Sequence, residues 1–76
     1  MEHVREELDR LIQQRRLGYS SISRMIGRNS SYIQQFIKRG SPRKLDDDDR
    51  RTLASFFGVD EQVLGGPPAP MRDGLI

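Results

Sequence analysis

The chain has 76 residues, of which 34% are hydrophobic and 32% are charged, and this length supports one small domain. It contains no cysteine, which excludes a disulfide scaffold, a thiolate metal site and a cysteine nucleophile. A single histidine, His3, cannot build a metal site alone, so we expect neither a metal nor another cofactor. No apolar run approaches the roughly 20 residues of a membrane span, so we expect a cytoplasmic protein without a membrane partner.

The charges are segregated along the chain, although the net charge is only +2. Residues 15–44 carry no acid, whereas the two flanks together carry a net charge of −6. The basic residues of this central block are Arg15, Arg16, Arg24, Arg28, Lys38, Arg39, Arg43 and Lys44. Such a block is typical of a protein that binds a polyanion; an accidental bias of a solvated face is the alternative.

Two helices are predicted before the middle of the chain. Apolar residues at helical spacing indicate the first over residues 2–16, and we expect Gly18 to end it. Its buried face consists of Val4, Leu8, Leu11 and Ile12. A short second helix follows, capped by the serines at 20 and 21, and it stops at Gly27. Its buried face consists of Ile22, Met25 and Ile26.

The third predicted helix covers residues 30–38. Asn29 or Ser30 caps it, because their short polar side chains can accept from free backbone amides. Gly40 closes it, and Pro42 prevents its continuation. Its buried stripe consists of Ile33, Phe36 and Ile37.

Four consecutive aspartates, residues 46–49, precede a fourth predicted helix. A calcium loop alternates its ligands and needs a glycine and a distal glutamate, so this run indicates an acidic first helical turn rather than a metal site. Gly58 ends the helix, and its apolar side chains are Leu53, Ala54, Phe56 and Phe57.

A fifth helix of about one turn is predicted between Asp60 and Gly65. Asp60 is its N-cap, and Val59 and Leu64 have the spacing of a hydrophobic staple. We therefore assign residues 1–65 to the folded domain and the proline-rich residues 66–76 to a linker towards an absent C-terminal domain.

The second and third helices and the turn at Gly27 have the pattern of a helix-turn-helix, so we expect an all-α, compact five-helix bundle. The exposed side of the third helix then fits the major groove of double-stranded DNA. Glutamine amides can bind adenine in a bidentate manner, so the candidate base-contacting residues are Ser31, Tyr32, Gln34 and Gln35. A solvated face for the glutamines and a packing role for Tyr32 are the alternatives. The candidate phosphate-contacting residues around this face are Arg24, Arg28, Asn29, Lys38, Arg39, Arg43 and Lys44.

Residues 18–65 resemble the Cro/CI-type (XRE-like) helix-turn-helix. The most specific stretch is residues 27–40, GRNSSYIQQFIKRG, which is similar to the N-terminal domain of bacterial LexA/CI-like repressors with a C-terminal serine-peptidase-fold domain. The resemblance implies a lambda-repressor-like bundle, a bacterial transcription regulator of repressor type at the nucleoid, and a two-fold symmetric operator. It also implies a homodimer held mostly by the absent C-terminal half.

The same resemblance assigns roles to individual residues. Base contacts fall on Ser30, Ser31, Tyr32 and Gln35, with Gln34 adjacent. Phosphate contacts fall on Tyr19 and Ser20 at the start of the second helix. Where Tyr19 stands, the family often has a glutamine that binds phosphate and supports the recognition helix. The resemblance therefore leaves open whether Tyr19 supports the third helix in the same way.

A protein-interaction module that uses the same fold to bind a partner protein is the alternative function. The two functions can be distinguished at the third helix, because a protein-interaction module would not need the outer face of this helix for its function. We expect no enzymatic activity and no catalytic residue, because no pair of titratable groups is placed for acid–base chemistry in a cleft.

Overall fold

The computed structural model describes residues 2–67, which are all helical where they are regular and contain no β-strand. The elements in chain order are α1 (Glu2–Gln14), α2 (Tyr19–Met25), α3 (Tyr32–Gln34) with its π-helical continuation Gln35–Arg39, α4 (Asp47–Phe57) and a 3₁₀ helix (Glu61–Leu64). We call residues 32–39 the third helix. The predicted all-α class is confirmed, and the expected fifth helix is the single 3₁₀ turn. Most of the predicted linker, residues 68–76, lies outside the described residues.

One hydrophobic core joins all of these elements. Ile33 and Phe36 of the third helix are completely buried at its centre, as their spacing predicts. The predicted buried face of α1 is also confirmed. The core residues are Val4, Leu8, Leu11, Ile12, Ile22, Ile33, Phe36, Leu45, Leu53, Ala54, Phe57 and Leu64. Burial of this apolar surface is the main stabilising contribution in so short a chain. The third helix contributes Ile33 and Phe36 to the core, and its other side faces solvent.

The end of α1 differs from the prediction. The helix stops at Gln14, and Arg16 takes the left-handed conformation with φ 57°. This early reversal lets Leu17 pack against the core, and its amide donates to the Ile12 carbonyl at 3.0 Å. Gly18 has φ −101° and is the N-cap of α2, without a side-chain cap. The predicted stop at Gly18 and the predicted serine caps are therefore wrong.

Met25 is the second departure from the predicted core. Its side chain is 39% exposed, whereas Ile22 is buried and Ile26 is half-buried. Helix α2 ends at Met25, and the chain turns at Gly27, which has φ 79°. The side of α2 that meets the third helix therefore contains Ile22 and Ser23 rather than Met25.

Ser23 joins α2 to the third helix. Its hydroxyl is fully buried, donates to the Tyr19 carbonyl at 2.8 Å and accepts from the Ile33 amide at 3.0 Å. The second bond satisfies an amide in the first turn of the third helix, which has no partner within that helix. Ser23 therefore fixes where the third helix begins relative to α2.

The third helix begins later than predicted and ends as predicted. Ser30 and Ser31 form a turn, so the helix starts at Tyr32. The N-cap residue is Ser31, without a side-chain cap, so the predicted cap at Asn29 or Ser30 is wrong. Asn29 instead accepts from the Ser31 amide at 3.0 Å, within the turn before the helix. Gly40 closes the helix in the left-handed conformation, with φ 72°.

Acidic residues correctly predicted where α4 and the 3₁₀ helix begin. The aspartates 47–49 form the first turn of α4, but the N-cap residue Asp46 makes no side-chain cap. Asp60 does cap the 3₁₀ helix, because its carboxylate accepts from the Gln62 amide at 2.9 Å. Leu64 is buried and Val59 is half-buried against the core.

Candidate nucleic-acid interface

The outer side of the third helix carries a continuous polar surface. A shallow groove of about 220 Å³ runs over it, lined by Ser31, Gln34, Gln35, Lys38 and Arg39. We call these five residues the third-helix face. Ser31 is half-buried and the other four residues are exposed, because the opposite side of the helix packs into the core. The structure thus brings together three predicted base-contacting residues and two predicted phosphate-contacting residues.

Tyr32 lies apart from this face. Its ring is half-buried, and its hydroxyl is 3.4 Å from a carboxylate oxygen of Asp49. The guanidinium carbon of Arg28 stands 4.9 Å from the ring centroid. Burial is the main reason why the pKa of Tyr32 is raised. Tyr32 therefore has a packing role in the free protein, whereas Ser30, the other predicted base-contacting residue, is exposed in the turn.

Arg28 is held by two carboxylates of α4. Its Nε donates to Asp49 Oδ2 at 2.9 Å, and its Nη2 lies 2.8 Å from the same oxygen. Nη2 also donates to Asp46 Oδ2 at 2.5 Å. These bonds, first of all the one to Asp49, raise the pKa of Arg28 above its ordinary value. Arg28 was predicted to contact phosphate, and in the free protein it neutralises a carboxylate that is almost buried.

Asp49 is the residue of this cluster that sequence reasoning missed. Its side chain is only 8% exposed, and the sequence had predicted for this run of four aspartates only an acidic first helical turn. Arg28 and Asp49 are 21 positions apart, so no local pattern links them. The one available signal was the position of Asp49 on the same side of α4 as Leu53.

Arg15 also has an internal partner. Its Nη2 donates to the Phe57 carbonyl at 3.0 Å and its Nη1 to the Phe56 carbonyl at 3.3 Å, at the end of α4. The guanidinium carbon lies 5.2 Å from the Phe57 ring centroid. A cation at the carboxyl end of a helix satisfies free carbonyls and complements the helix dipole.

The remaining basic residues of the central block are exposed. Within residues 2–67 none of them forms a salt bridge, in contrast to Arg10, Arg50 and Arg51. These six exposed cations are Arg16, Arg24, Lys38, Arg39, Arg43 and Lys44. These cations face solvent, and Lys38 lies near enough to Asp9 for its charge to act on that carboxylate.

Tyr19, a predicted phosphate contact, connects α1 to α2. Its hydroxyl donates to Asp9 Oδ1 at 2.7 Å, which lowers the pKa of Asp9 and raises that of Tyr19. The Nζ of Lys38 stands 5.9 Å from the Tyr19 ring centroid. Ser20, its predicted companion, is exposed, and its hydroxyl lies 3.5 Å from an Arg24 nitrogen.

The aspartate run is engaged by arginines rather than arranged around an ion. Asp47 pairs with Arg50 at 2.9 Å, and Asp48 pairs with Arg51 at 2.5 Å. Among residues 2–67, no three acidic or histidine side chains converge so that they could hold a metal ion. Over the same range, no helix has the length and apolar character needed to cross a membrane.

Comparison with protein-family models, with curated proteins and with solved structures found no match for this chain. The resemblance to Cro/CI-type domains therefore stays a prediction.

Proposed function

We propose that the chain binds double-stranded DNA in a sequence-specific manner, with the third helix in the major groove. The observation that carries this proposal is the third-helix face, in which neutral hydrogen-bonding side chains adjoin cations that form no salt bridge within residues 2–67. Two adjacent glutamines, Gln34 and Gln35, offer the donor and acceptor pair that matches the major-groove edge of adenine. The biological role that we propose is that of a bacterial transcription regulator of repressor type.

The exposed cations account for the affinity in this proposal. Phosphate contacts position a protein on the duplex and carry no sequence information. Lys38 and Arg39 stand at the carboxyl end of the third-helix face, and Arg43 and Lys44 follow shortly after it. If all six exposed cations meet phosphate, the logarithm of the affinity falls with the logarithm of the salt concentration with a slope of about −5.

The internal contacts of the free protein narrow the set of base-contacting residues. Tyr32 is occupied by Asp49 and Arg28, so we assign base recognition to Ser31, Gln34 and Gln35, with Ser30 in the preceding turn. Tyr19 and Asn29 use their side chains inside the fold and are assigned to positioning.

The lambda-repressor-like arrangement is part of the same proposal. A short helix and a second helix joined by a turn, with the second one exposed on its outer side, is the geometry that such proteins insert into the groove. Two copies would then read half-sites about 34 Å apart on a two-fold symmetric operator.

One observation favours the alternative of a protein-interaction module. Met25 and Phe56 are 39% and 40% exposed, and large apolar side chains at the surface are common in contacts between proteins. Under this alternative, Phe56→Ala abolishes function and Gln35→Ala leaves it intact. Under DNA binding, Gln35→Ala relaxes the preference at one base pair and Phe56→Ala leaves binding intact.

The experiment that tests the proposal is selection from a randomised duplex library at two salt concentrations. We expect an enriched motif and weaker retention at the higher salt. Gln35→Ala should relax the preference at one base pair, at a cost of about 1–3 kcal/mol, whereas Lys38→Ala should weaken all sequences alike. Gln14→Ala, an exposed glutamine of α1, is the matched control and should leave the motif unchanged. A library that stays unenriched and insensitive to salt would overturn the proposal.

A further inference from the structure

Arg28 stands between two carboxylates that differ greatly in exposure. The side chain of Asp49 is 8% exposed, whereas that of Asp46 is 67% exposed. Nε is used by Asp49, and Nη2 is shared between Asp49 at 2.8 Å and Asp46 at 2.5 Å. Removal of Asp46 alone would therefore leave the guanidinium anchored to Asp49.

The guanidinium also has capacity for another acceptor. A guanidinium carries five N–H donors, of which the two on Nη1 have no hydrogen-bond acceptor among residues 2–67. The Arg28 side chain is 37% exposed. It directly precedes Asn29, whose carboxamide accepts from both the amide and the hydroxyl of Ser31. Arg28 thus lies in the turn before the third helix, against the ring of Tyr32.

We infer that Asp46 competes with DNA phosphate for Arg28 and thereby weakens binding that does not depend on sequence. This inference rests on the proposed function. An exposed ion pair such as Arg28 with Asp46 contributes little to stability in water. A phosphate that binds the free Nη1 donors gains a charge-assisted bond from a pre-oriented guanidinium and releases a counterion, and the negative charge of Asp46 beside them opposes this binding. Asp46 is therefore a residue that limits affinity, and Asp49 is the residue that positions Arg28.

The position of Asp46 supports this role over that of a helix cap. An aspartate at the N-cap usually accepts from a backbone amide of the first turn. Asp46 is the N-cap residue of α4, and its side chain makes no such bond. Its carboxylate is directed to Arg28 instead, so neutralising it does not remove a cap.

The experiment compares Asp46→Asn with Asp48→Asn. Both replacements remove one negative charge from the start of α4, but Asp48 is 90% exposed and pairs with Arg51. Affinity for a mixed-sequence 20-base-pair duplex is measured by fluorescence anisotropy over a salt series. We expect Asp46→Asn to bind about 3–10-fold more tightly than Asp48→Asn, with a salt slope steeper by about 0.9, the value for one added phosphate contact.

A second neutral variant and a folding measurement keep the comparison interpretable. Asp46→Ser is also a good N-cap residue and should reproduce the result of Asp46→Asn, and thermal melting should show that all variants are folded. Equal affinities and equal slopes for Asp46→Asn and Asp48→Asn would overturn the inference and leave the proposed function standing. Failure of the unmodified protein to bind the duplex at low salt would overturn the proposed function, and the inference with it.

Discussion

Ser23→Ala is the replacement that tests most sharply how the second and third helices are held together. The Ser23 hydroxyl is completely buried and bridges the Tyr19 carbonyl to the Ile33 amide. Alanine keeps the volume nearly unchanged and favours the helix, so any loss of stability must come from these two bonds.

The magnitude follows from what remains after the hydroxyl is removed. The Ile33 amide keeps its buried position without an acceptor, which costs about 1–3 kcal/mol. The higher helix propensity of alanine offsets about 0.5 kcal/mol of that cost. We therefore expect a net loss of about 0.5–2.5 kcal/mol, or a fall in Tm of about 2–20 °C for a domain of this size.

The assay is urea unfolding followed by circular dichroism, with Ser21→Ala as the matched control. Ser21 belongs to the same helix but is exposed, so its replacement should change the free energy of unfolding by less than about 0.5 kcal/mol. Equal stability of the two variants would refute the reasoning that Ser23 fixes the third helix.

Three further replacements test the core and the local conformation. Phe36→Ala should destabilise by about 3–5 kcal/mol and leave much of the protein unfolded in thermal melts, because the ring is fully buried. Arg16→Gly should stabilise by about 0.5–1 kcal/mol in urea unfolding, since φ 57° suits glycine, whereas Arg16→Ala should give no gain. Tyr19→Phe should cost about 1 kcal/mol at neutral pH. Because the Tyr19 bond lowers the pKa of Asp9, that stabilisation is present above 3.8, the ordinary pKa, and is lost as the pH falls through the lowered value. The unfolding curves of the unmodified protein and Tyr19→Phe should therefore converge at acidic pH; a difference that persists there would contradict this assignment.

The spacing of apolar residues predicted the helices, because a helix that buries one side repeats an apolar residue every three to four positions. Val4 and Leu8 on α1, and Ile33 and Phe36 on the third helix, are buried as their spacing indicates. The cap at Asp60 could be predicted because it also depends on a short-range contact. Its carboxylate accepts from the amide of Gln62, two residues ahead. Signals that act within one or two helical turns are readable without the fold.

Features set by tertiary contacts were not predictable in the same way. The early reversal at Arg16 arises because Leu17 must reach the core, and Met25 is exposed because the chain turns immediately after it. The pairing of Arg28 with Asp49 depends on how α4 packs, which no spacing within the sequence records. Composition therefore located the basic block, but only the fold separates its exposed cations from those with internal partners.

The measurement that tests the central claim most directly is an NMR titration of the labelled protein with a short mixed-sequence duplex. Backbone amide and glutamine side-chain signals report which surface meets DNA. We predict that the largest shifts occur at Ser31, Gln34, Gln35, Lys38 and Arg39, and that they diminish at high salt. Shifts confined to the surroundings of Met25 and Phe56, or no shifts at low salt, would contradict binding of DNA by the third-helix face.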